Sequence, residues 1–284
     1  MHLLGAGADQ TLIRAPGSPT QVRVWTVQDA AFSRFEGLAV ANGYQYAGGT
    51  VRAGSGFWID RATALEFVGC AVTNNLLAGG NNGYLYGAGV ASYRSSVRLA
   101  DSLVWRNRID NNGPAYAGEG HGAGLYLASG TWIFERSVIA DNSNRVRNNE
   151  GSYGGGVYVA GGSHQMRNTL IARNDCTDVA RTGDGIYITT SGSLSMENCT
   201  VADNPGQGVN LQTGSSPLSI LNCILWGNTA DIVGNITPYY SCVQDGTGVG
   251  LNGTIGSDPL FVDSRYYHLQ SVHGCYTGGY FSGG

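Results

Sequence analysis

Hydrophobic and polar residues alternate in short runs, and one such run recurs along most of the chain. Six segments share it: FVGCAVTNN (67–75), LADSLVWRN (99–107), FERSVIADN (134–142), MRNTLIARN (166–174), MENCTVADN (196–204) and ILNCILWGN (220–228). Each closes on an asparagine, Asn75, Asn107, Asn142, Asn174, Asn204 and Asn228, at intervals of 32, 35, 32, 30 and 24 residues. A second run, opened by Gly-x-Gly, reads GSGFWI (54–59), GAGVAS (87–92), GAGLYL (122–127), GGGVYV (154–159), GDGIYI (183–188) and GQGVNL (206–211). Alternation over so few residues predicts short strands, and no helical period separates them. A constant motif at a variable period predicts fixed strands joined by elastic turns, the mark of a solenoid.

Aligning the coils gives columns. A small residue recurs as Cys70, Ser102, Ser137, Thr169, Cys199 and Cys223. Two residues later stand Val72, Val104, Ile139, Ile171, Val201 and Leu225; three residues earlier stand Phe67, Leu99, Phe134, Met166, Met196 and Ile220. Stacking would bury these as ladders with strands roughly 4.8 Å apart. The asparagines would form a further ladder, their amides linking successive turns. Charges before the asparagines alternate in sign (Arg106, Asp141, Arg173, Asp203), as do Glu135, Arg167 and Glu197. Stacking then sets opposite charges one rung apart, which disfavours a slipped register and implies an outward face.

These residues resemble the pectate-lyase-like superfamily of right-handed β-helices, and in particular bacterial surface β-helix proteins with G-G-G-I-Y and N-x-x-I-x-x-N repeats. LLGAGADQTLI (3–13), GLAVANG (37–43), SDPLFVD (257–263) and YHLQ (267–270) extend the likeness over nearly the whole chain. It implies an all-β fold, a right-handed parallel β-helix of about 8–10 coils. One β-helix domain is expected over residues 1–270, followed by an irregular or truncated tail at 271–284. No amphipathic cap precedes residue 3, so the chain reads as part of a longer protein. The likeness also implies an extracellular or cell-surface location. It says less about function, because one fold hosts many chemistries.

Composition narrows the partners. Net charge is −4, all 16 basic residues are Arg, and no basic run occurs, so a nucleic-acid partner is not expected. No apolar stretch approaches the roughly 20 residues of a membrane-spanning helix. The opening residues lack the charged and apolar regions of a signal peptide. Six cysteines without a C-x-x-C pair suit neither a disulfide scaffold nor a zinc site. Cys199 and Cys223 share one inward column and are expected as stacked free thiols.

Candidate chemistry lies near the long turns 76–86, 108–121, 143–153 and 175–182, which the resemblance casts as walls of a cleft floored by the Gly-x-Gly strands. Outward residues there would be Trp58, Ala91, Tyr126, Tyr158, Tyr187 and Asn210. Such rings suit either sugar binding or a self-stacking ladder that shields the sheet. Arg147 and Arg181 join Trp58, Tyr126, Tyr158 and Tyr187 as candidate substrate-binding residues. Gly120-His121-Gly122, with Glu119 adjacent, matches the G-H-G of polygalacturonases, and a His with a carboxylate can serve acid–base chemistry. The N-T-D strand, Asp-Asp pair and R-I-K segment of that family are missing, and strand alternation would turn His121 inward with Leu125 unless the turn redirects it. Asp184 breaks its column, which marks either a site or an aspartate that satisfies turn amides. Glu119, His121 and Asp184 are therefore the catalytic candidates, with Arg145, Arg147, Glu150 and Arg181 nearby. Asp141 and Asp203 would lie roughly 9.6 Å apart, but Arg173 stands between them and favours a charge ladder. Calcium could be held only by a loose grouping of Asp175, Asp178 and Asp184; no other metal or cofactor is expected.

Two function classes follow. One is a secreted or cell-surface β-helix that binds polysaccharide or cell-surface glycan, or serves as a scaffold or adhesin segment. The alternative is an enzyme, a polysaccharide lyase or glycoside hydrolase working in a groove floored by the Gly-x-Gly strands.

Overall fold

A computed structural model describes the chain except residues 17–19, 49–50, 81–82, 113–117, 148–150, 178–180, 215–217, 266, 270–273, 278–279 and 284. Among the described residues there are no helices; short strands stack into parallel sheets. Sheet 1 holds eight strands, from His2–Leu4 to Leu218–Leu221, and sheet 2 holds nine, from Leu12–Arg14 to Cys242–Val243. Sheet 3 holds eight, from Trp25–Gln28 to Ala230–Val233, and contains the Gly-x-Gly strands. The eight and nine rungs agree with the coil number expected from the repeat.

The aligned columns are the structural register. Val72, Val104, Ile139, Ile171, Val201 and Leu225 pair in succession along sheet 2, each buried. Phe67, Leu99, Phe134, Met166, Met196 and Ile220 do so along sheet 1. A one-residue slip would turn both apolar columns to solvent, so burial fixes the register.

Two polar ladders rivet the rungs. Each buried asparagine amide donates to the next one's carbonyl oxygen, as in Asn107 to Asn142 (3.0 Å) and Asn142 to Asn174 (2.9 Å). The same oxygens also accept the previous asparagine's backbone N–H. The small column links rungs in the same way, since Ser102 Oγ accepts the Cys70 N–H and Ser137 Oγ accepts the Ser102 N–H. Gly-x-Gly has two separate causes. Its first glycine takes a left-handed φ (+63° at Gly122), whereas a Cβ on its second, Gly124, would fall 2.5 Å from the Gly156 carbonyl oxygen of the next coil and 3.1 Å from the Asn142 amide.

Left-handed corners precede both ladders and also join sheet 3 to sheet 1, and five are arginines, residues rarely found there: Arg106, Arg136 and Arg173 before the ladders, Arg61 and Arg94 at the sheet 3 corner. Four are held by a carboxylate from another coil or its neighbour, for example Arg136 to Asp101 at 2.7 Å and Arg173 to Asp141 at 3.0 Å. The expected rung-to-rung charge pairing is present there and at Arg167–Glu197 (3.3 Å). Glu135 instead pairs with Arg98, at 2.7 Å.

The long turns are not simple loops. Tyr44–Ala47, Leu76–Gly79, Arg108–Asn111, Ser143–Val146 and Asp175–Thr177 form a five-stranded parallel sheet. Arg52–Ala53, Leu85–Tyr86, Gly120–His121, Ser152–Tyr153 and Arg181–Thr182 form another. Together they make a wing around its own small core of Ala47, Leu77, Leu85, Ala88, Ile109 and Ala123. Later coils drop the wing, which is why the asparagine interval shrinks. In the tail, Gly274–Thr277 pairs antiparallel with Tyr280–Gly283.

Candidate functional site

Two outer faces present contrasting surfaces. The first is the seam between sheet 3 and the wing. Tyr126, Tyr158 and Tyr187 are adjacent rungs of sheet 3, and their rings stack at 5.5 and 5.3 Å between centroids. Tyr86, His121 and Tyr153 form a parallel column on the wing. Tyr86 reaches over Ala91 to stack on Tyr126 at 4.6 Å, and Tyr153 reaches Tyr187 at 5.2 Å. Trp58 stands at one end against Tyr93 (6.4 Å). Ring faces are thus turned towards one another. Burial pushes the phenol of Tyr126 up to about 12 and raises that of Tyr158 further.

His121 does not turn into the core with Leu125. The left-handed Gly122 breaks strand alternation, and the imidazole packs edge-on to Tyr158 (4.6 Å) and face-on to Tyr153 (5.3 Å). Its Nε2 lies 3.0 Å from Glu119, whose carboxyl the contact holds below its ordinary range. Nδ1 is buried with no hydrogen-bond partner among the described residues. One ring nitrogen is engaged by Glu119 and the other is closed off from solvent. The Glu119 carboxylate is part-exposed beside the imidazole.

The other sequence candidates do not converge on this seam. Asp184 is fully buried inside the wing, near enough to Cys176 to raise that thiol together with burial. Arg147 lies on the far wing sheet, where it lines a groove with Asp110, Asn112, Arg145 and Thr177. Arg181 is placed by its backbone in the second wing sheet, and its side chain lies outside the described residues, as do Glu150 and Asp178. No cluster of three potential metal ligands occurs among the described residues. The five described cysteines, Cys199 and Cys223 included, are free and buried.

The second face, on the outside of sheet 2, stood out in the sequence only for its charge ladder of Asp141, Arg173 and Asp203. Its outward residues Leu103, Val138 and Leu170 pair rung to rung. Beside them runs the column Trp105, Ala140, Ala172, Ala202, Trp226. Three alanines between two tryptophans make a trough. The returning C-terminal segment lays Tyr267 over Ala172 and Ala202, with Phe261 and Leu170 packed beside it. The Tyr267 hydroxyl donates to Asp203 (2.8 Å) and accepts from Arg173 (3.2 Å). Beyond this ring, over Leu103, Val138, Ala140 and Leu170, the trough opens into a groove of about 960 Å³.

Charged side chains of both signs rim that groove and are already held in place. Asp141 accepts from the Trp105 indole N–H (2.7 Å) and from Arg173 (3.0 Å). The Arg106 guanidinium lies 3.9 Å from the Trp105 ring centroid. Arg136, Asn168, Ser264, Arg265 and His268 also line the groove. An apolar floor with a few fixed polar groups, in a volume of this size, is the general form of a small-ligand site.

A family model described as "Right handed beta helix region" matches residues 136–279. No curated protein and no solved structure matches.

Proposed function

Because the chain belongs to the right-handed β-helix family, and because that fold alone does not set a chemistry, we propose from its surface that it is a noncatalytic glycan-binding protein that takes a saccharide chain in the sheet 2 groove. The observation that carries this reading is the alanine trough and its built-in occupant. Tyr267 shows what the trough holds: a six-membered ring lying on alanine, with a hydroxyl shared between a carboxylate and a guanidinium. One rung along, over Ala140, a carboxylate and a guanidinium recur as Asp141 and Arg106 beside an open floor. A pyranose ring has matching chemistry, an apolar C–H face and hydroxyls at its edge. Asp141, Arg173 and Arg136 are fixed by ion pairs before any ligand arrives, which lowers the ordering cost of binding.

Supporting the noncatalytic part is the state of the seam, where His121 has no nitrogen to offer and Asp184 is sealed within the wing. Location at a cell surface or outside the cell belongs to the same proposal. Among the described residues, no helix is long and apolar enough to cross a membrane.

The test is calorimetric titration of the full chain with neutral tetrasaccharides of differing linkage, repeated with Trp105→Ala. Binding that weakens about tenfold or more in the variant is the expected result. Absence of binding across the panel, or binding indifferent to Trp105, overturns the proposal, and release of new reducing ends would restore an enzymatic reading.

A further inference from the structure

At the end of the aromatic seam, where Trp58 and Tyr93 meet the first wing strands, lies a polar pocket of about 470 Å³. Its lining includes Gln21, Arg23, Gln45, Arg52, Trp58 and Tyr93. It lies on a different face from the sheet 2 groove and owes nothing to it. From these residues we infer that the pocket is an oxyanion site, taking a sulfate or carboxylate group whose parent ring rests against Trp58.

Arg23 is a fixed part of the wall. Its Nε donates to the Gly54 carbonyl (2.7 Å) and its Nη2 to the Ala53 carbonyl (2.8 Å). Nη1 is the least engaged nitrogen, with only a 3.5 Å contact to the Thr26 hydroxyl. The guanidinium carbon lies 5.7 Å from the Trp58 ring centroid. Arg52 stands across the pocket, bonded through Nη1 to its neighbour's carbonyl on Val51 (3.2 Å).

What is missing is a counter-charge. Neither Arg23 nor Arg52 has a carboxylate partner among the described residues, unlike the corner arginines Arg61, Arg94, Arg136 and Arg173. Gln45, Val51, Arg52, Ala53 and Trp58, which line the pocket, include no carboxylate. Asp60 lies close to Tyr93 but is already bound by Arg61 and Arg94. Burial, and after it the nearby charge of Arg52, lowers the pKa of Arg23. A planar or tetrahedral oxyanion answers both at once, because guanidinium N–H groups match such acceptors in direction and charge. The two glutamines can add neutral amide donors.

The experiment is titration of the full chain with inorganic sulfate, acetate, a sulfated disaccharide, a uronate disaccharide and a neutral disaccharide, by heteronuclear NMR with arginine side-chain detection. The expected result is that an anionic probe moves the Arg23 and Arg52 side-chain signals and that the neutral one does not. Arg52→Gln should weaken that binding about tenfold; this half-exposed substitution leaves the wall-forming bonds of Arg23 intact. Preference for the sulfated sugar assigns a sulfate ester as the source, and preference for the uronate assigns a carboxylate. Anions that leave both arginine signals unmoved, or bind as well to Arg52→Gln as to the parent, overturn the inference whatever happens at the sheet 2 groove.

Discussion

The aromatic seam and the alanine trough are built on the same scaffold and end in opposite states. Both are outward columns on a parallel sheet with one side chain per rung. In the seam the column carries tyrosine on successive rungs, and stacking at 4.6 to 5.5 Å occupies the ring faces. In the trough the column carries alanine between Trp105 and Trp226, so the same spacing leaves a channel. The chain fills part of that channel with Tyr267 and leaves the rest open. In a solenoid, then, a run of aromatics favours a self-satisfied ladder, whereas a gap between aromatics makes the site.

Breaking what both faces share should have the largest effect. The Asn142 side chain makes four hydrogen bonds in the buried ladder behind them. Asn142→Ala should cost about 3 kcal/mol, read as a lower urea midpoint, because buried backbone and amide groups lose their partners. The two faces should then separate. Tyr158→Ala should cost about 2 kcal/mol of stability by removing a half-buried ring stacked on both sides, with glycan affinity unchanged. Trp105→Ala should do the reverse, weakening glycan binding about tenfold while costing less stability than Tyr158→Ala. A reversed outcome for these two variants would exchange the roles assigned to the faces.

The interior supplies a pH control. His164 is buried in the sheet 1 column, where its Nδ1 accepts the Trp132 backbone N–H (3.1 Å) and its Nε2 donates to the Gly161 carbonyl (2.9 Å). Burial lowers its pKa below the ordinary 6.5. The unfolded chain therefore binds this proton first as pH falls. Stability is full above about 6.5 and declines between that value and the depressed folded one. Thermal unfolding followed from pH 7.5 to 5 should show a decline that His164→Leu reduces, with both outer faces unaltered. The smallest effect is expected at Glu119. Glu119→Gln, at a part-exposed pair, should change stability by less than about 1 kcal/mol and leave glycan binding unmoved.

Much of the fold was legible because it is written at short range. The columns through Val72, Val104 and Ile139 and the ladder of Asn75, Asn107 and Asn142 needed only alignment of repeats. The wing was not legible, since strands such as Leu85–Tyr86 and Gly120–His121 are too short to show a period and are held by stacking alone. The direction of His121 stayed open in the sequence, because one left-handed glycine is enough to cancel alternation. The alanine column was visible two residues before each asparagine, but nothing local says that Tyr267 returns 94 residues later to meet Arg173 and close half the trough. Sites made by such returns depend on contacts that the repeat does not encode.

The central claim, that the trough and not the seam receives the ligand, is tested most directly by NMR of the full chain with labelled Leu and Val methyls and labelled tyrosine rings during titration with the tightest-binding tetrasaccharide. Shifts confined to the methyls of Leu103, Val138 and Leu170 and to the Tyr267 ring are the result expected here. Shifts of Tyr126, Tyr158 and Tyr187 with silent methyls would contradict it.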